Sequence, residues 1–206
     1  MSANPLRRLY NWVLSWAERP GAEVVLFLLA FAESSFFPIP PDVLLIPLVL
    51  GARKKWLRLA LLTTLASSLG GACGYFIGNK LWWTAGGQFS GLALFFFRVI
   101  PGFSQELFAV MKEKYDLYNF WIIFSAGFTP IPYKLFTVSA GAFIINFPIF
   151  LLASFISRGG RFFLVAGLIR IFGDPVRKFI DRHFNWLALV FTILLIAGFL
   201  LLKGVL

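Results

Sequence analysis

The sequence predicts an all-α integral membrane protein: an inverted repeat, each unit a re-entrant helical hairpin followed by a transmembrane helix, with an additional C-terminal transmembrane helix. Three observations predict it. Of 206 residues 59% are apolar and 14% charged, with 26 Phe and 7 Trp, too little polar surface to clothe a soluble globule. A Pro-Ile-Pro motif occurs twice, as Phe36-Phe37-Pro38-Ile39-Pro40 and Phe128-Thr129-Pro130-Ile131-Pro132, at an offset of 92 residues. Finally, Phe184 to Leu202 is apolar except for Asn185, which is the length a helix needs to cross a hydrocarbon core.

The elements follow in order within a single membrane domain, 1–206. Residues 1–20 carry Arg7, Arg8, Glu18 and Arg19 but no uninterrupted apolar core, so they read as an interfacial segment and not a cleavable signal. Repeat 1 covers 24–79. Its apolar stretch 24–50 contains Glu33, Asp42, Pro38, Pro40, Pro41 and Pro47, and prolines that dense cannot sit in one continuous helix. The arms Val24 to Phe36 and Asp42 to Leu50 would each reach at most roughly 20 Å, short of a core of about 30 Å. Basic residues precede the stretch (Arg7, Arg8, Arg19) and follow it (Arg53, Lys54, Lys55, Arg58), so both flanks read as cytoplasmic. A segment that leaves and returns on one side is a re-entrant hairpin, and its non-helical tip implies a wet cavity.

A true span over 56–79 follows, and the pattern returns in repeat 2, 120–170. Ser68-Leu69-Gly70-Gly71 with Gly78 recurs as Ser157-Arg158-Gly159-Gly160 with Gly167, at an offset of 89 residues, in a second span at about 146–168. Small residues in both spans allow close helix approach. Counting crossings sends the first span outward, brings the second hairpin in from the outer side and returns the second span to the basic Arg170, Arg177, Lys178 and Arg182, which makes the repeats inverted. The connector 80–119 is then external. Within it Gly91 to Phe103, interrupted by Arg98 and Pro101, and the amphipathic Glu106 to Tyr118 are expected along the interface. The last helix, 184–203, ends outside. Trp56, Trp82, Trp83, Trp121 and Trp186 read as interface anchors, His183 as an interfacial residue and Cys73, the one cysteine, as a small packing residue.

The acid-plus-Pro hairpin, the Gly-rich span and the run Gly127-Phe128-Thr129-Pro130-Ile131-Pro132-Tyr133-Lys134 through Ala140-Gly141-Ala142 resemble the DedA family, also called the VTT or SNARE-associated Golgi protein family. Arg158-Gly159-Gly160-Arg161-Phe162-Phe163 resembles its YqaA-like branch. The resemblance runs from about residue 24 to residue 182. It implies a multi-pass protein of the bacterial cytoplasmic (inner) membrane with two opposed hairpins, in a family linked to lipid translocation: recycling of undecaprenyl phosphate and flipping of phospholipids in bacteria, scrambling in eukaryotic relatives. The family's two hairpin acids fall on Glu33 and Asp42. Its better-studied branch has two arginines around the second Pro motif; here Gly127 stands where the first would fall, and Lys134 takes the place of the second or its neighbour. Arg98-Val99-Ile100-Pro101-Gly102 superficially resembles that signature but lacks the Ala-Gly-Ala arm after it.

Ionisable residues at bilayer depth are costly and usually mark a pathway. Glu33, Asp42, Lys134, Arg158 and Arg161 qualify, with Arg98 a weaker sixth. Repeat equivalence sets Asp42 against Lys134, each two residues after the second proline of its motif, and inverted repeats would bring the tips together near the midplane. On one reading, Lys134, Arg158 and Arg161 hold a phosphate while Glu33 and Asp42 carry a proton. On the other, the acids pair with these cations to lock the hairpins, and Arg158 and Arg161, near a span end, snorkel. Pro38, Pro40, Pro130 and Pro132 read as structural tip residues.

The expected partners are phosphate-bearing membrane lipids and protons, with a homo-oligomer compatible and no nucleic acid, since the cations are dispersed among loops. No cofactor and no metal is expected, and no enzyme: there is no His-Glu-x-x-His, Gly-x-Ser-x-Gly or phosphate loop, and only one His. A proton- or cation-coupled small-solute transporter in membrane-potential or pH homeostasis, or a non-catalytic membrane scaffold, fits the same residues.

Overall fold

A computed structural model of the chain describes residues 21–100, 103–129, 132–173 and 175. The expected interfacial segment 1–20, Pro101, the tip residue Pro130, His183 and the C-terminal helix 184–203 with Trp186 lie outside the described residues. Those described are helical, with no strand among them: α1 Ala22–Ser35, α2 Asp42–Gly51, a 3₁₀ turn Arg53–Lys55, α3 Trp56–Trp82, α4 Gly91–Val99, α5 Gln105–Phe128, α6 Tyr133–Ala142 and α7 Phe147–Phe172.

Two helices, α3 with 27 residues and α7 with 26, are long and apolar enough to cross a membrane. Both outlast the expected spans by a few residues. The arms α1 and α2 are short, 14 and 10 residues. α1 stops because Phe36 and Phe37 both turn their N–H groups back onto the Ala32 carbonyl and the next residues, Pro38, Pro40 and Pro41, cannot extend the ladder. Pro41 then caps α2 and Asp42 occupies its first turn, where a carboxylate suits the helix dipole. α5 begins on a Ser104 cap, whose side chain accepts from the Leu107 N–H. The Ser104 hydrogen bond, then the backbone N–H of Glu106, hold the Glu106 carboxyl below its usual range. α5 bends at Tyr118, with φ −112° and ψ 18°, so the amphipathic connector runs without a loop into the apolar stretch from Asn119.

α3 has its polar side facing inward. Leu57, Leu61, Leu65 and Leu69, four apart on one face, are 53%, 45%, 45% and 53% exposed, whereas Thr63, Thr64 and Ser67 are fully buried. The buried hydroxyls of Thr63 and Thr64 donate to the carbonyls of Leu59 and Ala60, both at 2.7 Å. That is the arrangement of a helix whose outer face meets hydrocarbon and whose inner face packs on small residues. A Cβ at Gly70 would collide with the Phe31 carbonyl of α1, and one at Gly78 with the Val138 carbonyl of α6, so glycine is what brings both short helices against α3.

The packing partners alternate. α1 and α6 lie on α3, α2 and α5 lie on α7, and α3 packs on α7. α6 is further held at its C-terminal end by one face of α3: Tyr75 Oη donates to the Ile145 carbonyl (2.7 Å), Trp83 Nε1 to that of Ala142 (2.7 Å) and Asn79 Nδ2 to that of Gly141 (3.4 Å), so orphan carbonyls of a helix end find donors. Trp82 and Trp83 are half-buried in an aromatic cluster, Trp82 stacked on Phe96 and Phe108 with centroids 5.8 and 5.7 Å away, and their role is packing as much as interface anchoring.

Candidate functional site

Four of the five charged residues expected at membrane depth form two ion pairs, three residues apart on α7, and the fifth lies at the same junction. Arg158 and Arg161 are the twelfth and fifteenth residues of the 26 in α7. They are therefore central and not near a span end, and neither snorkels.

Arg158 is 2% exposed and Glu33 7%. The Arg158 Nη2 donates to Glu33 Oε2 at 2.5 Å and its Nε to Ser67 Oγ at 2.7 Å. Ser67 Oγ lies 2.6 Å from Ser34 Oγ, which donates to Glu33 Oε2 at 3.3 Å. The four side chains close a ring through α7, α3 and α1. The guanidinium also lies over the rings of Tyr133 and Phe162, 5.0 and 4.7 Å from their centroids, a placement that favours a desolvated cation. Tyr133 is anchored in turn by a hydrogen bond with the Ser154 hydroxyl. Two buried charges taken from water repay that cost only when further hydrogen bonds support them, and Ser67 on the guanidinium and Ser34 on the carboxylate supply such bonds.

The second pair is more open. Arg161 Nη2 donates to Asp42 Oδ2 at 2.7 Å and Nη1 to the Thr129 carbonyl at 2.9 Å, with side chains 19% and 16% exposed. Asp42 Oδ1 is buried with no hydrogen-bond partner among the described residues. Lys134 is half-buried and donates to the Phe37 carbonyl at 3.1 Å; among the described residues no carboxylate pairs with it. The expected opposition of Asp42 and Lys134 is therefore not what forms. Arg161, reaching across from α7, takes the carboxylate, and Lys134 is left on a backbone oxygen.

These contacts tie the two Pro segments together. Lys134 reaches Phe37, Thr137 Oγ1 donates to the Ser34 carbonyl at 3.0 Å, and Arg161 spans Asp42 and Thr129. Pro38 and Pro40 are exposed at the first tip, and Pro132 caps α6. Arg98 sits exposed at the end of α4, in a different helix from any of the five. Beside Thr129, an open groove of about 360 Å³ runs along the second part of α5 to Phe136 of α6. Among the described residues no group of His, Cys, Asp and Glu is placed to hold a metal ion.

Sequence reasoning missed Ser34, Ser67, Tyr133 and Thr137. A usable signal exists for Ser67: Thr63, Thr64, Ser67 and Ser68 put hydroxyls on one face of an otherwise apolar helix.

Neither a family profile nor a solved structure matches the chain. An uncharacterized protein of Haemophilus influenzae is 32% identical over 198 residues, 95% of this chain and 97% of its own length. An uncharacterized protein of Histophilus somni, named as a homolog of HI0703, is 33% identical over 200 residues, again 95% of this chain and 97% of its own. With that identity across nearly the full length, the chain belongs to the same family as these two uncharacterized proteins.

Proposed function

We propose that the protein is a DedA-type membrane transporter that moves a lipid phosphate, polyprenyl phosphate or phospholipid, across the bacterial cytoplasmic membrane, with no enzymatic step. In this reading α1 with α2, and the apolar part of α5 with α6, are two re-entrant hairpins of an inverted repeat, and α3 and α7 are the spans. Its support is the alternating packing: the first arm of each hairpin lies on the span of its own repeat and the second arm on the span of the other. The observation that carries the functional reading is a surplus of charge. Three cations and two acids meet at mid-helix depth, and Lys134, which no carboxylate among the described residues pairs with, sits where the two tips touch. An excess positive charge in a place of low dielectric recruits an anion.

Reconstitution into liposomes with a headgroup-accessibility assay tests this. Lipid-phosphate redistribution faster than in empty liposomes, and slowed in Lys134→Ala, is the expected result; no acceleration for any phospholipid or polyprenyl phosphate would overturn it. One observation favours a second reading, a proton-coupled transporter of small solutes: the buried Oδ1 of Asp42 has no hydrogen-bond partner among the described residues. That reading expects flux driven by a pH gradient without lipid movement.

A further inference from the structure

Arg161 is held in a half-made pairing. A guanidinium presents two parallel donors that match a carboxylate or phosphate fork to fork, yet here one nitrogen meets a single oxygen of Asp42, the other goes to the Thr129 carbonyl, and the second carboxylate oxygen is unpartnered among the described residues. Thr129 also forms the end of the groove, whose wall is Trp121, Ile122, Ala126 and Phe136, with Ser125 among them. The Thr129 hydroxyl is turned back onto the Ser125 carbonyl at 2.7 Å, so the groove is apolar up to the residue that touches the guanidinium. The groove is open along its length, with a volume near 360 Å³. The groove itself is lined by no charged residue, and Arg161, bonded to the backbone carbonyl of Thr129, is the cation next to its end; together they complement a molecule with a hydrocarbon chain and an anionic head.

We propose that the groove and Arg161 form one lipid site, in which the hydrocarbon chain lies against Trp121, Ile122 and Phe136 and the lipid's phosphate displaces Asp42 from Arg161. Asp42 is then a built-in substitute for the ligand, occupying the guanidinium while the site is empty. The Glu33–Arg158 ring, buried and held by Ser34 and Ser67, takes no part in the exchange. This rests on the lipid-phosphate reading above and adds to it the place of the chain, the residue that receives the head and the competitor that must leave.

The test is lipid retention by the purified full chain in mild detergent, read by native mass spectrometry with dioleoyl phosphatidic acid, dioleoyl phosphatidylcholine and inorganic phosphate as probes. Removing an internal competitor raises apparent affinity by the fraction of sites it had occupied, so Asp42→Asn is expected to retain phosphatidic acid about tenfold more tightly. The double variant Asp42→Asn/Arg161→Gln, which leaves no unpaired charge and so keeps the fold testable, is expected to lose that gain and fall below the parent. Ser125→Trp, at an exposed groove position, should abolish retention with unchanged thermal stability. Asp42→Asn binding no more tightly than the parent, Ser125→Trp binding as well as the parent, equal retention of phosphatidylcholine, or equal stabilisation by inorganic phosphate would each overturn the site. So would a photo-crosslink from Ile122 to residues 184–203 or to a second copy that persists in lipid-saturated protein. Failure of these outcomes with lipid flux intact rejects the site alone; success with no flux in liposomes rejects the transport reading alone.

Discussion

Glu33–Arg158 and Asp42–Arg161 are the same chemistry, carboxylate to guanidinium, with their arginines less than one helical turn apart on α7. One is sealed: both partners under a tenth exposed, the arginine shared with Ser67, the acid shared with Ser34, and two aromatic rings beside the guanidinium. The other is about a sixth to a fifth exposed, with one carboxylate oxygen unused. The difference shows that depth in the protein does not by itself decide what an ion pair does. A pair tied by further hydrogen bonds to Ser34 and Ser67 and stacked on two rings is part of the scaffold, because any exchange strands several groups at once. A pair with an idle acceptor and a path to the exterior can trade its partner.

The comparison breaks most visibly at Arg158. Arg158→Met leaves the Glu33 charge buried without a counter-ion and should cost about 3–5 kcal/mol in denaturant unfolding in mild detergent, most of it recovered in Glu33→Gln/Arg158→Met. A double variant no more stable than the single one would show that the ring is not what makes the pair structural. A milder cut is Ser67→Ala, which strands Arg158 Nε and leaves the Ser34 hydroxyl only its bond to Glu33; a loss of about 1–3 kcal/mol is expected, against near-neutrality for the exposed Ser125→Ala. The smallest effect belongs to Asp42→Asn, at most about 1 kcal/mol, since this pair is partly solvated and incompletely bonded. A stability loss there equal to that of Arg158→Met would erase the distinction between the pairs.

The arms and the spans were legible in the sequence because proline and hydropathy act locally. Pro38, Pro40 and Pro41 end one helix and start another wherever the rest of the chain goes. Ionisable residues within apolar stretches were equally legible, and all five residues of the cluster carry that signal. Their pairing was not. Repeat equivalence relates Asp42 to Lys134, but Arg161 comes from a span and reaches the tip sideways, a contact 119 residues away in sequence that no local pattern encodes. The central position of Arg158 was legible as well: residue 158 falls in the middle of the expected span 146–168 just as it does in α7, so setting it near a span end misread that span. Ser34 and Thr137 gave no signal, since single hydroxyls are common on membrane helices and only packing decides which ones bridge.

The ring of Arg158 and Glu33 also imposes an order on biosynthesis. Glu33 is made 125 residues before Arg158, an interval of roughly 6–25 s at about 5–20 residues per second. Throughout it α1 carries a carboxyl group that hydrocarbon rejects and that nothing yet made can neutralise as Arg158 does. A nascent chain cut short before α7 therefore lacks the guanidinium that Glu33 meets in the finished fold.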